Sequence, residues 1–293
     1  MKRFFLALLL IVFAVSSCGK NGWYINVDNT VWEISTDTQV GWPCFLDDEH
    51  VSIAQVNQSN GYMQTLNGTF TVKGHRVDVT ADGNSLYMIR TFSHLKNSSN
   101  KNYRSLSPEV PQELAGSVWA YMKDTDLHFF YFRENATYLS GVYSNVAHRE
   151  GIAEGWKTFT TVPYELAGSQ FSSVEAGKGS FFKSFLRLDS AAVPLVSRPG
   201  SLDGSSSLEG TLWSYTPSTL PGDYVAILIF TSARDFTRIV VGSEVIFGTL
   251  TGTYEVKENS VSFTTEAAEL CEVCPIEDGQ FTYLKKTYSL LSL

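Results

Sequence analysis

After its first seventeen residues the sequence has no apolar stretch able to cross a membrane as a helix. The longest, Val225 to Phe230, has six residues, against the roughly twenty that a bilayer requires. Basic clusters are equally scarce. Lys and Arg number 22 against 30 Asp and Glu, a net charge of −8, with no basic run to neutralise a phosphate backbone, so nucleic acid is not an expected partner. Catalytic signatures are missing: no Gly-x-Ser-x-Gly, His-Glu-x-x-His, P-loop or dinucleotide fingerprint occurs. Ser93-His94-Leu95-Lys96 and Ser180-Phe181-Phe182-Lys183 fit Ser-x-x-Lys but fall at or beside expected strands, where the lysine does not lie one helical turn from the serine. Nothing singles out two carboxylates as a glycosidase pair. Helix-favouring runs are rare too. Thr, Val, Tyr, Phe and Ser dominate between Gly, Asn and Asp turn residues, so the chain reads as all-β.

The N-terminus reads Met1-Lys2-Arg3, twelve apolar residues from Phe4 to Val15, then Ser16-Ser17-Cys18-Gly19. Twelve residues of helix span about 18 Å, well short of a hydrocarbon core of about 30 Å, and the order of segments is that of a signal peptide, residues 1–17. Val15-Ser16-Ser17-Cys18 resembles the lipobox of bacterial lipoproteins. That resemblance implies cleavage before Cys18, acylation of its thiol and amine with chains such as palmitate, and attachment to a membrane. Each buried methylene contributes about 0.8 kcal/mol, so two or three chains hold firmly where one would not. The bland reading is an ordinary secretory signal with Cys18 incidental. Gly19 after the cysteine resembles the pattern of Gram-negative lipoproteins delivered to the outer membrane, facing the periplasm or the cell surface. Without Lys2 and Arg3 the net charge becomes −10.

Three segments open alike: Asn29-Thr30-Val31-Trp32, Gly116-Ser117-Val118-Trp119 and Gly210-Thr211-Leu212-Trp213. Phe45 and Phe132 follow thirteen residues after the first two tryptophans, and Phe230 seventeen after the third. Gly68-Thr69-Phe70-Thr71-Val72-Lys73 matches Gly252-Thr253-Tyr254-Glu255-Val256-Lys257, and partner strands Val77 to Thr80 and Val261 to Thr264 follow. Alternating polarity marks both as strands with one buried face, joined by tight turns at Gly74-His75 and Glu258-Asn259. The second copy decays to Lys157 to Val162 and then Pro163, which donates no ladder hydrogen bond. Each unit ends on aromatic-rich segments, Leu86 to Phe92, Phe181 to Leu188 and Phe281 to Tyr288.

The expected architecture is therefore three small antiparallel β-meander units of six or seven strands, barrel-like or sandwich-like. A lipidated tether (18–28) leads to unit 1 (29–96), a linker (97–114), unit 2 (115–190), a second linker (191–208) and unit 3 (209–293). A single sandwich or barrel built from all three is the alternative. The opening Gly-Thr-x-Trp with a β-meander resembles the lipocalin-like and related calycin folds, which implies a tryptophan closing one end of a barrel. A full calyx takes eight strands, more than these units are expected to have.

Among candidate residues, Cys271-Glu272-Val273-Cys274 reads as a structural thiol pair or local disulfide in a loop elaboration, with redox or metal roles less favoured. One further cysteine of the mature chain, Cys44, leaves a four-thiolate zinc site incomplete, and Cys44 itself reads as a buried thiol. Asp47-Asp48-Glu49-His50 reads as a solvated turn rather than a cation site, because the matching turns of the other units carry no such set. His75, His94, His128 and His148 show no ligand spacing. No metal or cofactor is expected. Trp32, Trp119 and Trp213 repeat and read as core; Trp23, Trp42 and Trp156 do not repeat and are the candidates for exposed stacking on a ligand, with local packing as the plain alternative. The resulting expectation is a non-catalytic envelope protein that displays loops to a protein or a glycan. A carrier of a small hydrophobic ligand and a polysaccharide-acting enzyme are the alternatives.

Overall fold

A computed structural model describes residues 24–59, 62–123, 126–144, 156–197, 206–215, 225–241, 246–265 and 268–291. The expected signal peptide (1–17), Cys18 and Trp23 lie outside them.

Each unit is an up-and-down antiparallel barrel of eight strands. Barrel 1 consists of β1 (Val31–Ser35), β2 (Gln39–Phe45), β3 (His50–Asn57), β4 (Met63–Lys73), β5 (Arg76–Ala81), β6 (Asn84–Arg90), β7 (Leu95–Asn97) and β8 (Asn102–Leu106), with β8 pairing back onto β1. Barrel 2 consists of β9 (Val118–Lys123), β10 (Asp126–Arg133), β11 (Thr137–Ser144), β12 (Trp156–Ala167), β13 (Gln170–Ser173), β14 (Gly177–Phe181), β15 (Phe185–Leu188) and β16 (Ala192–Ser197), closed by β16 on β9. Barrel 3 consists of β17 (Leu212–Tyr215), β18 (Val225–Phe230), β19 (Asp235–Val241), β20 (Ile246–Lys257), β21 (Ser260–Thr265), β22 (Ala268–Pro275), β23 (Gln280–Tyr283) and β24 (Lys286–Leu290). Among the described residues no ladder joins β22 to β23, so this ring keeps one open seam.

The structure corrects three expectations. Units have eight strands rather than six or seven: the aromatic-rich ends of units 2 and 3 each fold over a tight turn into two strands, and in unit 1 β7 and β8 follow beyond Leu86 to Phe92. Phe281 to Tyr288 is the β23–β24 hairpin, turning at Leu284 and Lys285 with φ of +51° and +61°, where no Gly, Asn or Pro signals a turn. Both linkers shrink as well, since 97–114 contains β8 and 191–208 contains β16, each the strand that closes its barrel. The Cys271–Cys274 segment is strand β22 rather than a loop; Cys274 is buried in the barrel 3 core, and the Cys271 side chain lies outside the described residues.

Eight strands leave an interior that side chains can just fill. Trp32, Phe45, Phe70 and Met88 fill barrel 1, Trp119, Phe132, Phe171 and Phe181 fill barrel 2, and Trp213, Phe230, Phe263 and Phe281 fill barrel 3. The long strands β4, β12 and β20 serve two neighbours each, pairing first with the preceding strand and then with the following one. Gly68 and Gly252 stand where β4 and β20 change partners, and Pro163 stands at that point of β12. A Cβ at Gly68 would run into the Thr80 carbonyl oxygen and one at Gly252 into that of Thr264, so these two crossings require glycine.

The barrels pack on one another through their outer faces. Phe129 and Tyr131 of β10 point outward, between the inward Phe130 and Phe132, and meet the outward Ile227 and Ile229 of β18 in a shared core with Val118, Leu139, Leu212 and Ile239. Barrels 1 and 2 meet through Val31, Trp42, Cys44 and Ala54 against Phe182, Phe185 and Ala192. Barrels 1 and 3 join edge to edge where Met63 pairs with Ile246. Every barrel therefore touches the other two.

Candidate functional site

One motif closes the same end of all three barrels. An apolar residue (Val27, Leu114, Leu208) is followed two residues later by a left-handed backbone at Asn29, Gly116 or Gly210, then a hydroxyl residue, and two further on the tryptophan. The indole Nε1 donates to that hydroxyl, Trp32 to Thr30 at 2.7 Å, Trp119 to Ser117 at 2.8 Å and Trp213 to Thr211 at 3.0 Å. Each hydroxyl in turn donates to the carbonyl of the apolar residue. A buried indole N–H and a turn carbonyl are thereby satisfied by one side chain. The tryptophans are plugs, as their repetition implies, and the opposite barrel ends are left to other residues.

At the opposite end barrel 1 differs from its siblings. The inward positions after its tryptophan hold Ile34, Gly41, Pro43 and Ile53, and with Leu86, Met88, Tyr103 and the polar Thr36, Gln39, Gln55 and Asn97 they line a cavity of about 200 Å³. By register the equivalent positions of barrel 2 carry Tyr121 and Phe130, and those of barrel 3 carry Tyr215, Leu228 and Arg238. Those larger groups occupy the corresponding space; Arg238 Nε donates to Tyr288 Oη there at 2.6 Å.

The larger concavity, about 590 Å³, lies between barrels 1 and 2, under the segment 107–113 that connects them. Glu33 and Arg104 face each other across the β1–β8 ladder. Arg104 Nη2 donates to Glu33 Oε1 at 2.7 Å, and Trp42 Nε1 donates to Glu33 Oε2 at 3.0 Å. Both carboxylate oxygens are therefore engaged. Trp42 is 6% exposed and its ring lies 5.7 Å from that of Phe185, which stacks on Phe182 at 4.6 Å. Lys183 and Ser184 form the barrel 2 wall, and Glu109, whose N–H donates to Phe181 O at 2.8 Å, and Glu113 border the cleft from the connecting segment.

The remaining candidates are dispersed. The reading of Trp42 as exposed is corrected: outward on barrel 1, it is covered by barrel 2. Trp156 lies on β12 opposite Tyr143, with its side chain outside the described residues. Cys44 is buried at the same junction, its thiol pushed up to about 12 by burial, an effect partly offset by Arg187. Arg187 donates to the carbonyls of Leu46 at 2.9 Å and Asn29 at 3.4 Å, tying barrel 2 to barrel 1. In the Asp47 turn, the carboxylate accepts from the backbone N–H of Glu49 at 2.8 Å and of His50 at 2.6 Å, and its other oxygen bonds His50 Nδ1 at 2.8 Å. Those bonds hold the carboxyl down at about 2 and raise the imidazole, so its lone pairs serve the turn.

Sequence reasoning missed Glu33, Arg104 and Arg187, and met Lys183 only in a Ser-x-x-Lys match that it set aside. Glu33 and Arg104 lie 71 residues apart, and only barrel closure brings them together. The hydroxyl two residues before each tryptophan was legible.

No family model matches the chain, and no curated protein matches its sequence. Among solved structures, the DNA polymerase III subunit beta of Pseudomonas aeruginosa aligns over 92% of this chain and 94% of its own at 9% identity, with a TM-score of 0.15. A sliding clamp from Bartonella birtlesii aligns over 92% of each chain at 6% identity and a TM-score of 0.18. The Bacillus subtilis sliding clamp aligns over 91% of this chain and 92% of its own at 7% identity and 0.16. Scores this low carry no argument.

Proposed function

We propose that this chain is a non-catalytic, lipid-anchored envelope protein that binds a hydroxyl-rich ligand, a glycan, in the cleft between barrels 1 and 2. The supporting observation is the lining of that cleft. Carboxylates at Glu109 and Glu113, cations at Arg104 and Lys183, and hydroxyls at Ser105, Ser107 and Ser184 all line it, the donor and acceptor mixture that sugar hydroxyls require. Glu33, held on both oxygens by Arg104 and Trp42, orients the guanidinium rather than standing ready as an acid or base, which favours binding over glycoside hydrolysis. The anchor follows from the lipobox-like Val15 to Cys18.

Glycan-array screening of the mature chain, followed by calorimetric titration of the hits, tests this reading. Arg104→Ala removes a charged donor from the wall and is expected to weaken binding about tenfold or more. An array without hits, together with a protein partner captured from envelope extracts whose affinity ignores Arg104→Ala, overturns it.

A second reading draws on the barrel 1 cavity: a carrier for a small apolar molecule. A cavity of about 150 Å³ lined by aliphatic groups holds benzene, and about 200 Å³ is of that order. Native mass spectrometry of protein purified without detergent would show the bound mass, and an empty protein that also refuses added aromatic probes ends this reading.

A further inference from the structure

We propose that the plugged end of barrel 1 rests on the bilayer with Phe92 inserted at the lipid headgroup level. This rests on the lipid-anchor reading and adds an orientation and a contact to it.

The placement begins with where the chain leaves the barrel toward Cys18. Ile25 N donates to Thr91 O at 3.0 Å, Arg90 Nη1 donates to Ile25 O at 3.1 Å, and Arg90 Nε donates to Gly74 O at 2.7 Å. The N-terminal strand of chain is thus fastened between the 91–94 turn and the Gly74-His75 hairpin. Six residue steps separate Cys18 from Tyr24, a reach of at most about 21 Å. An acylated Cys18 holds this end of the molecule, and no other, near the membrane.

That end carries an unexplained apolar group. Phe92 is 75% exposed and Tyr24, beside the hairpin with its ring 6.2 Å from that of His75, is 39% exposed. The turn presenting Phe92 is rigidly made: Thr91 Oγ1 accepts from His94 N at 2.9 Å and donates to His94 O at 3.1 Å, while Thr91 N donates to the same carbonyl at 2.7 Å. A tight polar turn that holds a phenylalanine in water suits an interfacial membrane contact, where aromatic rings are favoured.

Charge does not supply the attraction. Lys73, Arg76, His75 and His94 stand on this end, but so do Asp28 and the Asp47-Asp48-Glu49 turn, and Arg76 is already paired with Asp78. The contact therefore works on zwitterionic lipid and withstands salt.

The test uses the full acylated protein, extracted from membranes and reconstituted in phosphatidylcholine vesicles. Phe92→Trp and Val174→Trp each add one reporter; Val174 is 96% exposed on barrel 2. The emission added at position 92 is expected to shift to the blue and to be quenched by lipids brominated near the headgroup, in low and high salt alike. The emission added at 174 is expected to do neither. Mass spectrometry of the Cys18 peptide separates the two ideas. An acylated Cys18 with an unquenched Trp at 92, or quenching that salt abolishes, overturns the proposed contact and leaves the anchor standing. A Cys18 without acyl chains overturns the anchor and the contact together.

Discussion

The hydroxyl under each tryptophan shows how much one small side chain decides. Ser117 is fully buried, with its Oγ between the Trp119 Nε1 and the Leu114 carbonyl. Ser117→Ala leaves the indole N–H buried without its acceptor, so the loss expected in urea denaturation is about 1–3 kcal/mol. Ser117→Thr, which installs the residue that the other two barrels use, should hold most of the stability. This motif was readable from sequence because all its members lie within six residues. Cys44 and Trp42 were harder. Their positions on an outward face were implied by the alternation of β2, and Cys44 aligns with Tyr131 and Ile229 in the ladders. What covers an outward face comes from a partner barrel more than a hundred residues away, and no local pattern announces it.

At the scale of the element, the long bent strands organise each barrel. Gly68 takes the bend in β4 with no room for a Cβ, whereas a Cβ at Gly41 of β2 meets nothing nearer than Ile34 Cγ2 at 3.5 Å. Gly68→Ala is therefore expected to lower the thermal midpoint strongly, by the overpacking cost of about 1–3 kcal/mol or more, and Gly41→Ala to leave it nearly unchanged. Differential scanning calorimetry of the two variants makes the comparison. The strands on either side of these bends were legible through period-two alternation and the Gly-Thr-aromatic repeat. Strand number was not, because the turn at Leu284-Lys285 uses residues with no turn preference and the one at Phe182 to Ser184 offers a single serine. The short closing strand β8 fell in polar sequence that reads as linker, since most of its side chains are exposed.

At the scale of the molecule, the apolar runs of β10 and β18 have a simple meaning: one set of side chains fills the barrel and the alternate set fills the space between barrels. Burying an isoleucine contributes about 1.5–3 kcal/mol, and Ile227, Ile229 and Ile239 are all fully buried in that shared space. The wild-type chain is expected to unfold in one calorimetric transition. Ile229→Asp, which places a charge in the shared core while sparing every barrel interior, is expected to split it into two. A single transition that merely moves to lower temperature would show that the barrels do not unfold independently even when uncoupled.

The pairing of Met63 with Ile246 has a consequence in time. These residues are 183 positions apart, and contacts so distant in sequence form late. Barrel 2, once made, must wait with Phe129, Tyr131 and Leu139 bare until β18 and β19 arrive to cover them. During folding this chain therefore passes through a stage in which two finished barrels present a sticky, strand-rich face, and that interval is when it is most prone to aggregate.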